Sequence, residues 1–234
     1  MALPLSPPAA PRGPLLLATA NPHKVAELRA IFAEAGLPAI GLHDLPGGRD
    51  IPEPRETGDT FEANARLKAL AYAGASGRPC VADVSGLEVD ALGGRPGVIS
   101  SHYSTDGRET GLTRAQRDEA NNARLLRELA GTPPAQRGAR FVCVMALALP
   151  GSHAGEPARV IHVVHGTFEG RIGQPPDVPR GNNGFGYDPL LMLPPPDART
   201  SAELSSDEKN ARSHRGQAAR LIAAFCQQHF PGGF

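Results

Sequence analysis

A chain of 234 residues, 40% of them hydrophobic, can bury a full core as one large or two-lobed α/β unit. Its 24 basic and 24 acidic residues cancel to a formal net charge of zero, so the balance points to neither duplex nucleic acid nor a membrane surface as partner. No apolar run reaches the length of a membrane span, and the scattered Cys80, Cys143 and Cys226 lack metal-ligand spacing, which fits a reduced, cytoplasmic compartment.

Residues 1–14 are rich in Pro and Ala, lack the pattern of a secretory signal, and read as a disordered tail. Leu15 to Thr19 reads as a short apolar strand, and Asn21-Pro22 as the cap and first position of a helix reaching about Ala35. Val25, Leu28, Phe32 and Ala35 are expected on its inner face, with Gly36 as its stop. Strand, polar turn, helix start and Lys24 together suit an anion, because free N–H groups and the positive helix end converge there. A plain strand-to-helix start with a surface lysine fits the same residues. The chain holds 21 arginines but only three lysines, Lys24, Lys68 and Lys209; a lysine in such a chain can mark a place that needs a compact ammonium, and chance accounts for three residues as well.

Glu56 to Thr60 leads into a second helix, about Phe61 to Ala75, with Phe61, Leu67, Leu70 and Gly74 expected inward and Gly77 as its stop. Cys80-Val81-Ala82 reads as the end of a buried strand turning at Ser85-Gly86, with Asp83 at its mouth and Glu88 and Asp90 on a second extended piece. A carboxylate so placed needs a cation, a hydrogen-bond network or a metal, although a turn-capping Asp explains it as well. Gly93 to Gly97 permits tight turns, and His102 to Gly111 reads as a polar loop. Thr113-x-x-Gln116 is a capping box opening a helix to about Ala130, with Leu125, Leu126 and Leu129 inward.

Arg140 to Leu149 and Arg159 to Phe168 read as a hairpin, whose His162 and His165 fall on opposite faces and so cannot share a metal. Gly173 to Asp188 is a long Pro/Gly loop ending in Phe185, Gly186, Tyr187 and Asp188. An aromatic beside an Asp suits a base, by stacking and by accepting a base N–H, and equally suits a loop anchored by its aromatics. Ser205-x-x-Glu208 is a further capping box, followed by Lys209, His214 and Arg215, which suit a cluster of donors and equally suit surface residues. A closing helix has Leu221, Ile222 and Phe225 inward.

The segments 19–28 (TANPHKVAEL), 56–69 (ETGDTFEANARLKA), 82–98 (ADVSGLEVDALGGRPGV), 181–189 (GNNGFGYDP) and 200–218 (TSAELSSDEKNARSHRGQA) together resemble the inosine/xanthosine triphosphate pyrophosphatase family, in its order and spacing. The resemblance implies an α/β fold over 15–234, a single domain with a long, mixed central sheet flanked by helices in two lobes and an active-site cleft between them. It also implies a homodimer, Mg²⁺ as cofactor, and hydrolysis of ITP, dITP or XTP to the monophosphate and pyrophosphate. Substrate would meet Thr19, Ala20, Asn21, Pro22, His23 and Lys24, with Thr19, Asn21 and Lys24 on the triphosphate. Ser85 would also contact it. Phe185 would stack on the purine with Gly186, Tyr187 and Asp188 beside it, while Lys209, His214 and Arg215 would read the base edge.

Glu56 and Asp83 would hold the metal, and Asp83 remains as the catalytic carboxylate, although strand neighbours point to opposite faces and it replaces residue 84 only where the turn rotates it. The family pattern is Ala-Asp-Asp-Ser-Gly-Leu, and its second Asp, the expected base, is Val84 here. Arg55 stands where many relatives carry another acid beside the glutamate. The implied enzyme therefore binds nucleotide and hydrolyses it poorly. The alternatives are a catalytically silent nucleotide-binding protein of the same fold and a pyrophosphatase for other modified nucleotides.

Overall fold

The computed structural model describes residues 13–153 and 155–231, so the expected tail lies, up to residue 12, outside the described residues. Strand β1 (Leu15–Leu17) is three fully buried leucines, as a strand covered on both faces requires. Helix α1 (Pro22–Glu34) starts where expected, with the Asn21 side chain accepting from the His23 N–H and Pro22 at the first turn. Strand β2 (Ala39–Gly41) lies parallel to β1 on one side.

Helix α2 (Phe61–Ser76) is capped by Thr60 and closed by Gly77 in the left-handed region. Its buried face differs from the expected one: Phe61, Ala65, Lys68, Ala69, Tyr72 and Ala73 point inward, while Leu70 is 37% exposed. The helix lies against the sheet through the alanine row 65, 69 and 73, whose small side chains allow close approach. The larger leucines fall to its flank and outer side.

Strand β3 (Cys80–Val89) runs unbroken beside β1, parallel to it, and pairs antiparallel with β4 (Gly138–Leu149) from Cys80↔Ala148 to Val89↔Ala139. The expected turn at Ser85-Gly86 is therefore mid-strand, opposite Cys143 and Val142. Gly86 is there for closeness: a Cβ on it would stand 2.5 Å from Ser100 Oγ, 2.7 Å from the Gly97 carbonyl and 2.8 Å from the Phe61 ring. The real turns follow at Gly93, Gly94 and Gly97, all with positive φ. The 97–105 stretch is 3₁₀-helical rather than open loop, and it buries Ser100 and Tyr103.

Helix α3 (Arg114–Glu128) opens on the Thr113/Gln116 capping box. The hairpin of β4 with β5 (Arg159–Ile172) and the short edge strand β6 (Leu191–Met192) complete a mixed six-stranded sheet in the order β2-β1-β3-β4-β5-β6. His162 stacks on Phe225 at 4.0 Å and His165 reaches Glu62 of α2 at 3.4 Å, on the two faces as expected. The chain closes with α4 (Ser206–Arg212) and α5 (His214–His229), separated by Ser213, which caps the second through the Gly216 N–H. Leu221, expected inward, is 50% exposed; Ile222 and Cys226 carry that face.

Helices α1 and α5 cover one face of the sheet, through Leu28, Phe32 and Ile222 against Leu17, Val81 and Met145. Helix α2 covers the other, where Phe61 and Ala65 meet Ala82, Val84 and Val144. A second lobe forms where β3, β4 and β5 run on beyond these helices, with Leu87, Phe141 and Phe168 packed by Leu125, Tyr187 and Leu204. Gly86 joins the lobes, so Gly86→Ala is expected to cost about 1–3 kcal/mol by overpacking against backbone, measured by urea denaturation.

Candidate active site

The parallel pair β1 and β3 ends at Ala18, whose N–H donates to the Val81 carbonyl, so the turn leading to α1 emerges beside Asp83. Chain connections leave β1 toward β2 on one side, with β3 on the other, which opens a crevice at the strand ends. Asp83, 1% exposed, lies at its floor. Its Oδ2 meets Lys24 Nζ at 2.8 Å, accepts from Ser85 Oγ at 2.9 Å and faces Arg215 Nε at 3.4 Å. Arg215 also donates to Ser85 Oγ at 3.1 Å and pairs with Glu27 at 2.6 Å. Glu27 went unnoticed in the sequence; its position one turn after Lys24 on α1 was the signal available.

Burial alone would raise the Asp83 carboxyl, but Lys24 and Arg215 outweigh it and hold it far below the ordinary range. Burial likewise opposes the charge on Arg215, and Asp83 and Glu27 more than restore it. His214, fully buried and stacked on Phe141 at 5.2 Å, is pushed well below the usual histidine range by burial and then by Arg215 and Lys209. It is neutral at pH 7, with Nδ1 unpartnered, and so is not one of the cationic donors.

Thr19 Oγ1 accepts from the Asn21 N–H at 3.2 Å, which shapes the turn, while Ala20, Pro22 and His23 line it toward solvent. The His23 ring lies 6.0 Å from Phe185, so the turn at the start of α1 adjoins the aromatic. Lys209 Nζ and the Arg215 guanidinium stand 5.6 and 5.7 Å from the Phe185 centroid. Asp188 is buried with both oxygens engaged, Oδ1 by Ser201 Oγ (2.7 Å) and Oδ2 by Lys209 (2.6 Å) and the Phe185 N–H (2.8 Å). It fixes Lys209 and the ring. Tyr187 turns into the second lobe and donates to the Ser100 carbonyl at 2.8 Å, anchoring the loop from beneath.

Val84 points to the opposite face of β3 from Asp83 and packs with Phe61 and Ala65, 4% exposed. On that side Glu56 pairs with the buried Lys68 at 2.8 Å, and Glu53 lies 3.6 Å from the same ammonium. Burial works against the Lys68 charge, and Glu56 overcomes it, raising the lysine above its ordinary value. Glu56 is thus paired with Lys68 and Asp83 with Lys24 and Arg215, and the Lys68 charge also acts on Asp83. Among the described residues no group of three His, Cys, Asp or Glu side chains gathers to hold an ion. Asp83 Oδ1 is buried without a partner, whereas Glu56 is engaged with Lys68.

Residues 15–225 match the model of the Ham1 family. The chain belongs to the Ham1 family. Among its relatives, a protein of Nitratidesulfovibrio vulgaris named dITP/XTP pyrophosphatase is 49% identical over 209 residues, spanning 89% of this chain and 93% of that one. A Streptomyces avermitilis protein of the same name is 49% identical over 211 residues, spanning 89% and 94%. The Ham1 protein structure from Staphylococcus aureus aligns with TM-score 0.71 and 36% identity over 92% of this chain and 99% of its own. That of a HAM1 protein from Coxiella burnetii gives 0.73 and 36%, over 92% and 98%. The expected fold class is the one found. No helix among the described residues is long and apolar enough to cross a membrane.

Asp83 ties three elements of this Ham1 chain together, and its ionised form is the stabilising one. Its folded pKa lies below the unfolded value of about 4. The stability it contributes is therefore present above that pH and lost as pH falls toward the folded pKa. Asp83→Asn is expected to cost about 3–5 kcal/mol at pH 7 by removing the buried charge that Lys24 and Arg215 face, and to flatten the loss below pH 4, as read from guanidinium unfolding at both pH values.

Proposed function

We propose that this protein is a nucleoside triphosphate pyrophosphatase for keto purines, ITP, dITP and XTP, whose hydrolytic step is weakened by Val84. The observation that carries the reading is the continuity of a cationic crevice with an aromatic platform. Lys24 and the start of α1 stand at one end, Phe185 with Lys209 at the other, and Arg215 belongs to both. The names of the relatives supply the reaction class.

The N–H groups at the start of α1 and the Lys24 ammonium receive the phosphates. Phe185 takes the purine face, and Lys209 and Arg215 present donors to the 6-keto edge. Adenine would set its 6-amino donor against them, leaving buried donors unpaired at a cost of about 1–3 kcal/mol per group. Mg²⁺ enters this reading bound to the triphosphate, as part of the substrate.

Hydrolysis at the α-phosphorus needs a carboxylate that accepts a proton from water. Asp83, held deeply deprotonated by two cations, has little proton affinity and is a poor base. Valine at 84 has none. These same facts favour a second reading, a silent nucleotide binder of this fold. Residues 15–234 act in either case as one two-lobed domain, cytoplasmic and homodimeric.

Pyrophosphate release from ITP, XTP, dITP and ATP with Mg²⁺, parent against Val84→Asp, tests this. A gain of about 10²–10⁴ on keto purines, the usual worth of a general base, is expected over a nearly inert parent, with the reacting water on the α2 side of β3 where residue 84 points. A fast, selective parent would show that another group is the base. Binding of keto purines without turnover by either protein would establish the silent binder.

A further inference from the structure

Helix α3 takes no part in the binding set above, yet one stripe of it reaches the aromatic platform. Arg114, Asp118 and Asn122 follow at four-residue intervals and so share a face. Asp118 Oδ2 accepts from the Gly186 N–H at 2.9 Å, and Asn122 Nδ2 donates to the Gly186 carbonyl at 3.0 Å. The Arg114 guanidinium lies over the Phe185 ring, 4.4 Å from its centroid. The helix therefore grips both peptide units that flank Gly186, next to the ring, and touches the ring itself.

The loop needs such a grip. Gly184 and Gly186 have φ of +78° and +63°, so the backbone on either side of Phe185 carries no Cβ to restrict it. Behind the loop is an open cleft of about 530 Å³ lined by Ala123, Leu126, Pro179 and Leu190. Packing does not fill that space, so hydrogen bonds from α3 set the loop's position on this side. On the other side the Phe185 N–H is held by Asp188.

We propose that Asp118 and Asn122 are positioning residues for base recognition. They set the plane of Phe185 so that a purine stacked on it meets Lys209 and Arg215 at its edge. This rests on the reading of the site as one for keto-purine triphosphates. A merely structural brace would affect folding or all ligands together, whereas a device that orients the ring affects only ligands that carry a base.

The test is calorimetric binding of ITP and of inorganic tripolyphosphate, each with Mg²⁺, to the parent, Asp118→Ala, Asn122→Ala, the double variant and Asp118→Asn. Both side chains are only partly buried, so the variants leave no core cavity, and thermal melting checks each fold. The double variant is expected to bind ITP about tenfold more weakly, the worth of two ordinary hydrogen bonds, with tripolyphosphate affinity unchanged. Asp118→Asn keeps an acceptor and should recover most of the affinity lost in Asp118→Ala. Retained ITP affinity in the double variant, or equal weakening of both ligands, would overturn the inference while the functional reading stands. If the parent itself binds ITP no more tightly than tripolyphosphate, the functional reading falls and the inference with it.

Discussion

A carboxylate with its side chain wholly out of water survives ionised only if cations and donors replace its hydration. Asp83 meets that condition with Lys24 from α1, Arg215 from α5 and Ser85 two residues along its own strand. The requirement fixes more than one side chain. It sets the start of α1 against the end of β3, and it draws the first turn of α5 over the same point. Glu27 extends the cluster by holding the far side of the arginine. The crevice exists because these elements must meet at one buried charge.

From that cluster the rest of the site is reached by shared residues. Arg215 belongs to both the Asp83 cluster and the surroundings of Phe185. Asp188 performs a parallel task in the second lobe, where a single carboxylate aligns Lys209, Ser201 and the backbone of Phe185. Two buried carboxylates, one in each lobe, thus pre-position the cations that a polyanion and a keto base call for. Asp188 has both oxygens engaged, whereas Asp83 has Oδ2 held by the chain and Oδ1 buried without a partner, so the cations are in place before any ligand arrives.

The same economy explains the gap at residue 84. Features that bind and features that transfer a proton place opposite demands on a carboxylate: the first want it firmly ionised, the second want it near neutrality. Asp83 fulfils the first demand so fully that it is unsuited to the second. Val84, on the other face of β3, adds apolar packing against α2 where a proton acceptor was implied. Glu56 is engaged with Lys68. Binding and catalysis are therefore separable in this chain, residue by residue.

Much of this was legible in the sequence, because local chemistry governs it. The Asn21-Pro22, Thr113/Gln116 and Ser205/Glu208 starts follow from capping rules that need no distant partner. Buried runs such as Leu15–Leu17 and the β4–β5 hairpin were readable for the same reason. The misread points depend on what lies across the fold. Ser85-Gly86 has the composition of a turn, but pairing with Cys143 and Val142 holds it in a strand, and Gly86 answers to Ser100 and Phe61 packed above it. Leu70 and Leu221 have the hydrophobicity of core residues, yet small alanines won the sheet-facing stripe of α2 and Ile222 that of α5. The neutral state of His214, the engagement of Asp188 and the grip of Asp118 and Asn122 on Gly186 arise between residues far apart in sequence. Propensity and spacing specify how a segment folds on itself, whereas the protonation and orientation of a side chain are set by the groups that tertiary packing brings against it.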